Sequence, residues 1–130
     1  MGDVTFIRSQ DIEQESALLK SKAAIKSVLG INGEKYRFLL LNFKNVKNKA
    51  EWHDYTDDLY FIVAGSARFR TGGRLVNPQR LNENDIIADS IEEGVDQQLN
   101  QGDILLIPTK TPHQLDATDS EITYLLVKVK

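Results

Sequence analysis

Residues 50–65 read AEWHDYTDDLYFIVAG, and the reading of this stretch decides the fold. Side chains two apart in an extended strand point to the same side, so Glu51 and His53 share one face of a short strand over 50–53. From residue 57 the pattern alternates, with Asp58, Tyr60 and Ile62 on one face and Leu59, Phe61 and Val63 on the other. Both faces are largely apolar, which predicts a strand over 57–64 buried on both sides. Gly65-Ser66 then predicts its end, because glycine and serine favour turns over strand interiors.

The same punctuation runs through the rest of the chain. From Tyr36 onward, short apolar or alternating runs are separated by turn residues, the pattern of an all-β sandwich or barrel. Strands are predicted near 35–44, 50–53, 57–64, 66–71, 73–76, 86–90, 95–99, 103–107, 112–116 and 121–129. Gly72-Gly73 predicts a tight hairpin, and Asn82 to Asp85 and Gln101-Gly102-Asp103 predict further turns. The last strand sets Thr123, Leu125, Val127 and Val129 opposite Ile122, Tyr124 and Leu126, before Lys128 and Lys130 return to solvent. Ahead of the strands, Asp11 with Gln14 predicts a capped helix running through Leu18 and Leu19 toward Ala23 and Ile25. The expected division is an N-terminal helical extension over 1–34 packed on a barrel over 35–130.

Composition narrows the function classes. A chain of 130 residues with 41% hydrophobic residues builds one core and one domain. Its net charge of −3 comes from mixed acids and bases with no basic block, which argues against nucleic acid as a partner. It has no cysteine, so thiol nucleophiles, disulfides and cysteine metal sites are excluded, and any metal must use nitrogen and oxygen ligands. No apolar run approaches the roughly 20 residues of a membrane helix. With no signal segment legible at Met1-Gly2-Asp3, the expectation is a cytoplasmic protein without membrane contact.

The chain has two histidines, His53 and His113, each at a predicted strand end beside other polar residues. A lone histidine is more often a surface or satisfied core residue than a ligand. Their surroundings carry the weight here. Four residues separate His53 from Asp58, and six separate Asp58 from Gly65. The second stretch, residues 102–113, reads GDILLIPTKTPH. These two stretches resemble the two motifs of the cupins, and Ala50 to His53 with Thr-Gly-Gly at 71–73 resembles a bacterial branch of small single-domain cupins. The resemblance covers Lys35 to Val129. Glu51 stands where the family has its first histidine, Lys110 replaces a glycine, and Ala117 stands where an asparagine is common.

The resemblance implies a double-stranded β-helix, or jelly-roll, barrel whose two motif hairpins meet inside its mouth. Closing such a barrel gathers two imidazoles and one or two carboxylates. His53, Asp58 and His113 are then the expected ligands of a divalent metal, with Glu51 either a fourth ligand or a general base beside a metal-bound water. Iron suits two histidines and a carboxylate, while zinc, manganese, nickel and copper are also accommodated. Aspartate at 58 is one methylene shorter than the family's glutamate, which predicts weaker binding. Trp52 and Tyr60 are candidates to line a ligand pocket, against the commoner role of strand aromatics as core. The expected function is a metal-binding cupin that binds or transforms a small organic molecule by an oxygenase, isomerase or lyase reaction. The alternative is a metal-free ligand-binding or sensing module. Spare apolar strand faces predict a symmetric homodimer in either case.

Overall fold

One 15-residue strand, β4 (Asp57–Thr71), organises the molecule by belonging to both halves of a sandwich. The computed structural model describes residues 4–22 and 25–130. Before β4 come helix α1 (Ser9–Ser21) and strands β1 (Lys26–Asn32), β2 (Tyr36–Lys44) and β3 (Ala50–His53). After it come β5 (Arg74–Val76), β6 (Gln79–Arg80), β7 (Asp85–Ala88), β8 (Ser90–Glu92), β9 (Val95–Asn100), β10 (Ile104–Ile107), β11 (His113–Asp116) and β12 (Glu121–Val129).

The first half of β4 pairs with β12 and β10, and its second half with β11 and β9. Gly65 sits at the junction with φ +74°, where a Cβ would stand 2.0 Å from the Glu121 carbonyl oxygen. The pairing of β4 with β12 also shifts register at Thr123/Tyr124, an irregularity that bends a strand. The predicted strands at 57–64 and 66–71 are therefore one strand, and Gly65 bends it where a turn was expected. Gly72-Gly73 is likewise no hairpin. The strand after it, β5, leaves β4 and pairs with β8, while Gly72 N–H donates to the Pro112 carbonyl.

The hydrogen-bonded path runs β1-β2-β12-β4-β11-β3-β7-β6, with β9 and β10 also on β4. This path is open at both ends, so the architecture is a jelly-roll sandwich of the double-stranded β-helix type, where a closed barrel was expected. Between its layers lie Ile62, Phe69, Leu99, Leu115, Ile122 and Leu126, all buried. Burying such side chains contributes roughly 1.5–3 kcal/mol each before entropy is counted.

Two further corrections concern the periphery. Helix α1 starts earlier than predicted, with Arg8 at the N-cap and Asp11 inside the first turn, its Oδ2 accepting the Arg8 N–H at 3.2 Å. It ends at Ser21; of the expected far end, Ile25 lies beyond the helix, and Ala23 lies outside the described residues. Strand β1, absent from the sequence reading, pairs with β2 and holds Leu29 against Leu19 and Leu40. Strand β4 is not buried on both sides. The helix covers its outer face only near Val63, and Leu59 and Phe61 remain 36% and 41% exposed.

Candidate metal centre

Strand β3 alternates as expected, and Glu51 and His53 both face the inside of the sandwich, lining one cavity. Strand β11 lies beside β3 with His113 directly opposite Glu51, and β4 brings Asp58 against both imidazoles. Asp58 Oδ2 is 3.1 Å from His53 Nε2 and 3.5 Å from His113 Nε2. Glu51 Oε2 is 3.6 Å from His53 Nε2 and 3.5 Å from His113 Nε2. The two imidazole rings stand 5.0 Å apart. Four residues from three strands thus converge, three of them buried and Glu51 half exposed at the mouth.

The far side of each ring is fixed by a partner. His53 Nδ1 lies 2.7 Å from Asp85 Oδ1, and His113 Nδ1 lies 2.9 Å from the Thr111 carbonyl oxygen. Both partners accept a hydrogen bond, so each Nδ1 donates and each Nε2 is turned inward, the orientation in which imidazole binds metal. His113 Nε2 is buried with no hydrogen-bond partner. An orphaned buried nitrogen costs free energy unless something fills its lone pair. Glu51, His53 and His113 each offer a ligand atom within 4.8 Å of the others. The donor set of imidazole nitrogen and carboxylate oxygen therefore fits a divalent transition metal.

Electrostatics tighten the cluster. Burial would push the Asp58 carboxyl up, but His113, His53 and the charge of Lys128 together hold it well below the usual carboxylate range. Glu51 is held low in the same way, burial being outweighed by His113 and His53. Burial would lower His53, yet the neighbouring carboxylates of Asp58 and Glu51 raise it to about 10. His113 is also raised, by Asp58 and Glu51 against burial.

The other expected site residues part company. Tyr60 lines the cavity, and its hydroxyl lies 3.4 Å from Asp58 Oδ2. Its ring is also core, 5.0 Å from Phe69 and 5.1 Å from Tyr124. Trp52 is not brought to the cavity: it points to the opposite face of β3 from Glu51 and His53, and its Nε1 donates to Asp54 at 2.9 Å. Two residues given no site role by the sequence stand at the site, Asp85 behind His53 and Lys128 beside Asp58. Lys128 does not return to solvent. Its side chain is 17% exposed, and its Nζ lies 3.0 Å from Asp58 Oδ1 and 3.5 Å from His53 Nε2.

The cavity has a volume of about 260 Å³, just below the roughly 300–1,000 Å³ of ordinary ligand pockets. Leu39, Leu41, Phe43, Leu115 and Leu126 give it an apolar wall, and Lys35, Arg37 and Lys130 stand with Lys128 on its lining. Its size matches a small organic group.

The family profile described as the JmjC domain matches residues 42–128, and the chain belongs to that family, within the cupin superfamily. No curated protein matches the chain. Among solved structures it is similar to the protein BH2720 from Bacillus halodurans, at 17% identity and a TM-score of 0.69, covering 98% of this chain and 83% of that one. It is similar to an uncharacterized conserved protein with a double-stranded beta-helix domain from Klebsiella pneumoniae, at 13% identity and a TM-score of 0.56, covering 81% and 75%. It is also similar to the DMSP lyase DddQ from Ruegeria pomeroyi, at 16% identity and a TM-score of 0.58. That match covers 81% of this chain but spans only 46% of the lyase. At these identities the likeness shows the fold alone.

Proposed function

We propose that this protein binds a divalent metal through His53, His113, Glu51 and Asp58 and uses it to bind or transform a small organic molecule in the cavity. Lyase, isomerase and oxygenase reactions are the classes that suit such a site. The observation that carries the reading is the inward Nε2 of His113, buried without a partner beside a second inward imidazole and two carboxylates. When bound, the metal supplies Lewis-acid polarisation and an acidic water ligand. The protein's own groups do the rest. Asp85 and Thr111 hold the two imidazoles in place, and Glu51, half exposed at the mouth and held ionised by the two histidines, offers a carboxylate ligand. Tyr60 and Tyr124 stay neutral, because burial pushes both phenols well above their usual range. The functional unit proposed is 35–130, with 1–34 as an extension packed on it, and Leu59, Phe61, Ile104 and Leu106 are proposed to join two copies in a homodimer.

The test is elemental analysis of protein purified without a metal-affinity step, beside a variant with both His53→Ala and His113→Ala. Near-stoichiometric iron, zinc, manganese, nickel or copper in the parent and none in the variant supports the reading. A parent that neither carries metal nor accepts it on reconstitution overturns it. One observation favours a second reading, that of a metal-free binding module: the Asp58 carboxylate already has a counter-charge in Lys128. Ligand binding that persists in a chelator would support that reading, and its loss would sink it.

A further inference from the structure

Lysine at position 128 departs from its surroundings. The inward residues of β12 before it, Ile122, Tyr124 and Leu126, are apolar core, and an apolar side chain there would continue the series. Lys128 instead sits across from Asp58 on one neighbouring strand and across from Arg37 on the other. Facing a like charge across a sheet is unfavourable, so the arrangement rests on the Asp58 side. There its Nζ lies 3.0 Å from Oδ1, while Oδ2 faces the imidazoles at 3.1 and 3.5 Å. The two oxygens of one fully buried carboxylate are thus divided between a covalently tethered cation and the point where the histidine nitrogens meet.

From this geometry we infer that Lys128 is a resident counter-cation of the centre, which keeps Asp58 neutralised without metal and competes with a divalent ion for the same carboxylate. The inference rests on the metal-binding reading proposed above. Two consequences follow from charge alone. Removing one member of a buried ion pair leaves the other uncompensated, so loss of Lys128 weakens the metal-free fold. The same loss frees Asp58 and removes a positive charge 3.5 Å from His53 Nε2, so it strengthens metal binding. A lysine serving only as a structural ion pair would move the first quantity and leave the second unchanged. The site is therefore built to stay assembled when empty and to load only where metal is plentiful enough to overcome the lysine.

The experiment compares the full-length parent with Lys128→Met, which keeps an unbranched apolar stem, and Lys128→Gln, which keeps a hydrogen-bond donor and so folds if the first does not. Binding of zinc(II) alone is measured by calorimetry on chelator-treated protein, and melting is followed with and without the ion. The expected result is at least a tenfold gain in zinc affinity for the variants, a lower melting temperature without zinc, and a larger rise on adding it. Parent and variant affinities that are equal, or weaker binding by the variants, overturn the competition. Absence of zinc binding by parent and variants alike, with manganese(II) also failing, overturns the metal reading itself and this inference with it, an outcome distinct from equal affinities.

Discussion

His53 and Asp85 face each other twice: their backbones are directly paired between β3 and β7, and their side chains meet at 2.7 Å between Nδ1 and Oδ1. Asp85 is itself held by Asn82 and Asn84, whose amides donate to its two oxygens at 3.0 and 3.1 Å. The carboxylate fixes which nitrogen of His53 carries its proton and which way the ring turns. Partners behind a ligating histidine commonly affect metal affinity by 10- to 100-fold. Asp85→Ala is therefore expected to lose about tenfold or more in zinc affinity by calorimetry, with unchanged far-ultraviolet circular dichroism because the residue is partly exposed. Unaltered affinity would show that Asp85 does not position His53.

Protonation sets a second expectation, for the protein held in chelator. His53 is raised from 6.5 to about 10 in the fold. A group raised on folding contributes stability that is complete below its unfolded value and lost as pH rises through the folded one. Asp58 has the opposite sign: held below its usual 3.8, it contributes above that value and loses the contribution as pH falls. The window in which both are present lies between about pH 4 and 6.5. Scanning calorimetry should show a fall in melting temperature from pH 7 to 10 that is steeper for the parent than for His53→Gln. Equal slopes would mean that His53 carries no extra proton in the metal-free fold.

How much of this was legible in the sequence depends on how far apart in the chain the interacting residues lie. Glu51 and His53 were readable as neighbours because strand alternation is local. Asp58 and His113 were readable because their spacing resembles a family pattern. In the sequence Asp85 is only the end of a turn, since nothing near it announces that β7 pairs in register with β3. Lys128 reads as solvent-bound because lysine head groups normally reach water; its inward direction is set by the pairing of β12 with β4. Trp52 is the converse case: its aromatic character suggests a pocket wall, while the alternation of β3 places it on the opposite face from His53. Gly65 and Gly72 stand out in the sequence as special positions, but composition does not distinguish a bend within a strand from a turn between two.

Those glycines can be separated by experiment. Gly65 and Gly72 both have positive φ, at +74° and +77°, a conformation that costs other residues about 1–2 kcal/mol. Gly72 has open space around its missing Cβ, whereas at Gly65 the Cβ would meet the Glu121 backbone. Gly72→Ala should therefore lose about 1–2 kcal/mol in chemical denaturation. Gly65→Ala should lose more than that, or fail to fold, because relieving the clash means separating β4 from β12. Similar losses for the two would refute the bend as the reason for glycine at 65.

The remaining expectation concerns association. Ile104 pairs with Phe61 and Leu106 with Leu59 across β4 and β10, and these four side chains are 65%, 41%, 58% and 36% exposed. Scattered exposed apolar residues are ordinary, but a contiguous set on one sheet face marks an interaction surface. The helix that covers Val63, Phe38 and Leu40 stops short of it. A self-complementary patch most simply closes as a twofold dimer. Analytical ultracentrifugation at micromolar concentration should therefore show a dimer for the parent and a monomer for Leu106→Glu, which sets a charge in the middle of the patch. Since Leu106 points away from the cavity, that variant should bind zinc as the parent does. A parent that sediments as a monomer would leave the patch without a second copy to cover it, and a dimer that persists in Leu106→Glu would move the interface to another face.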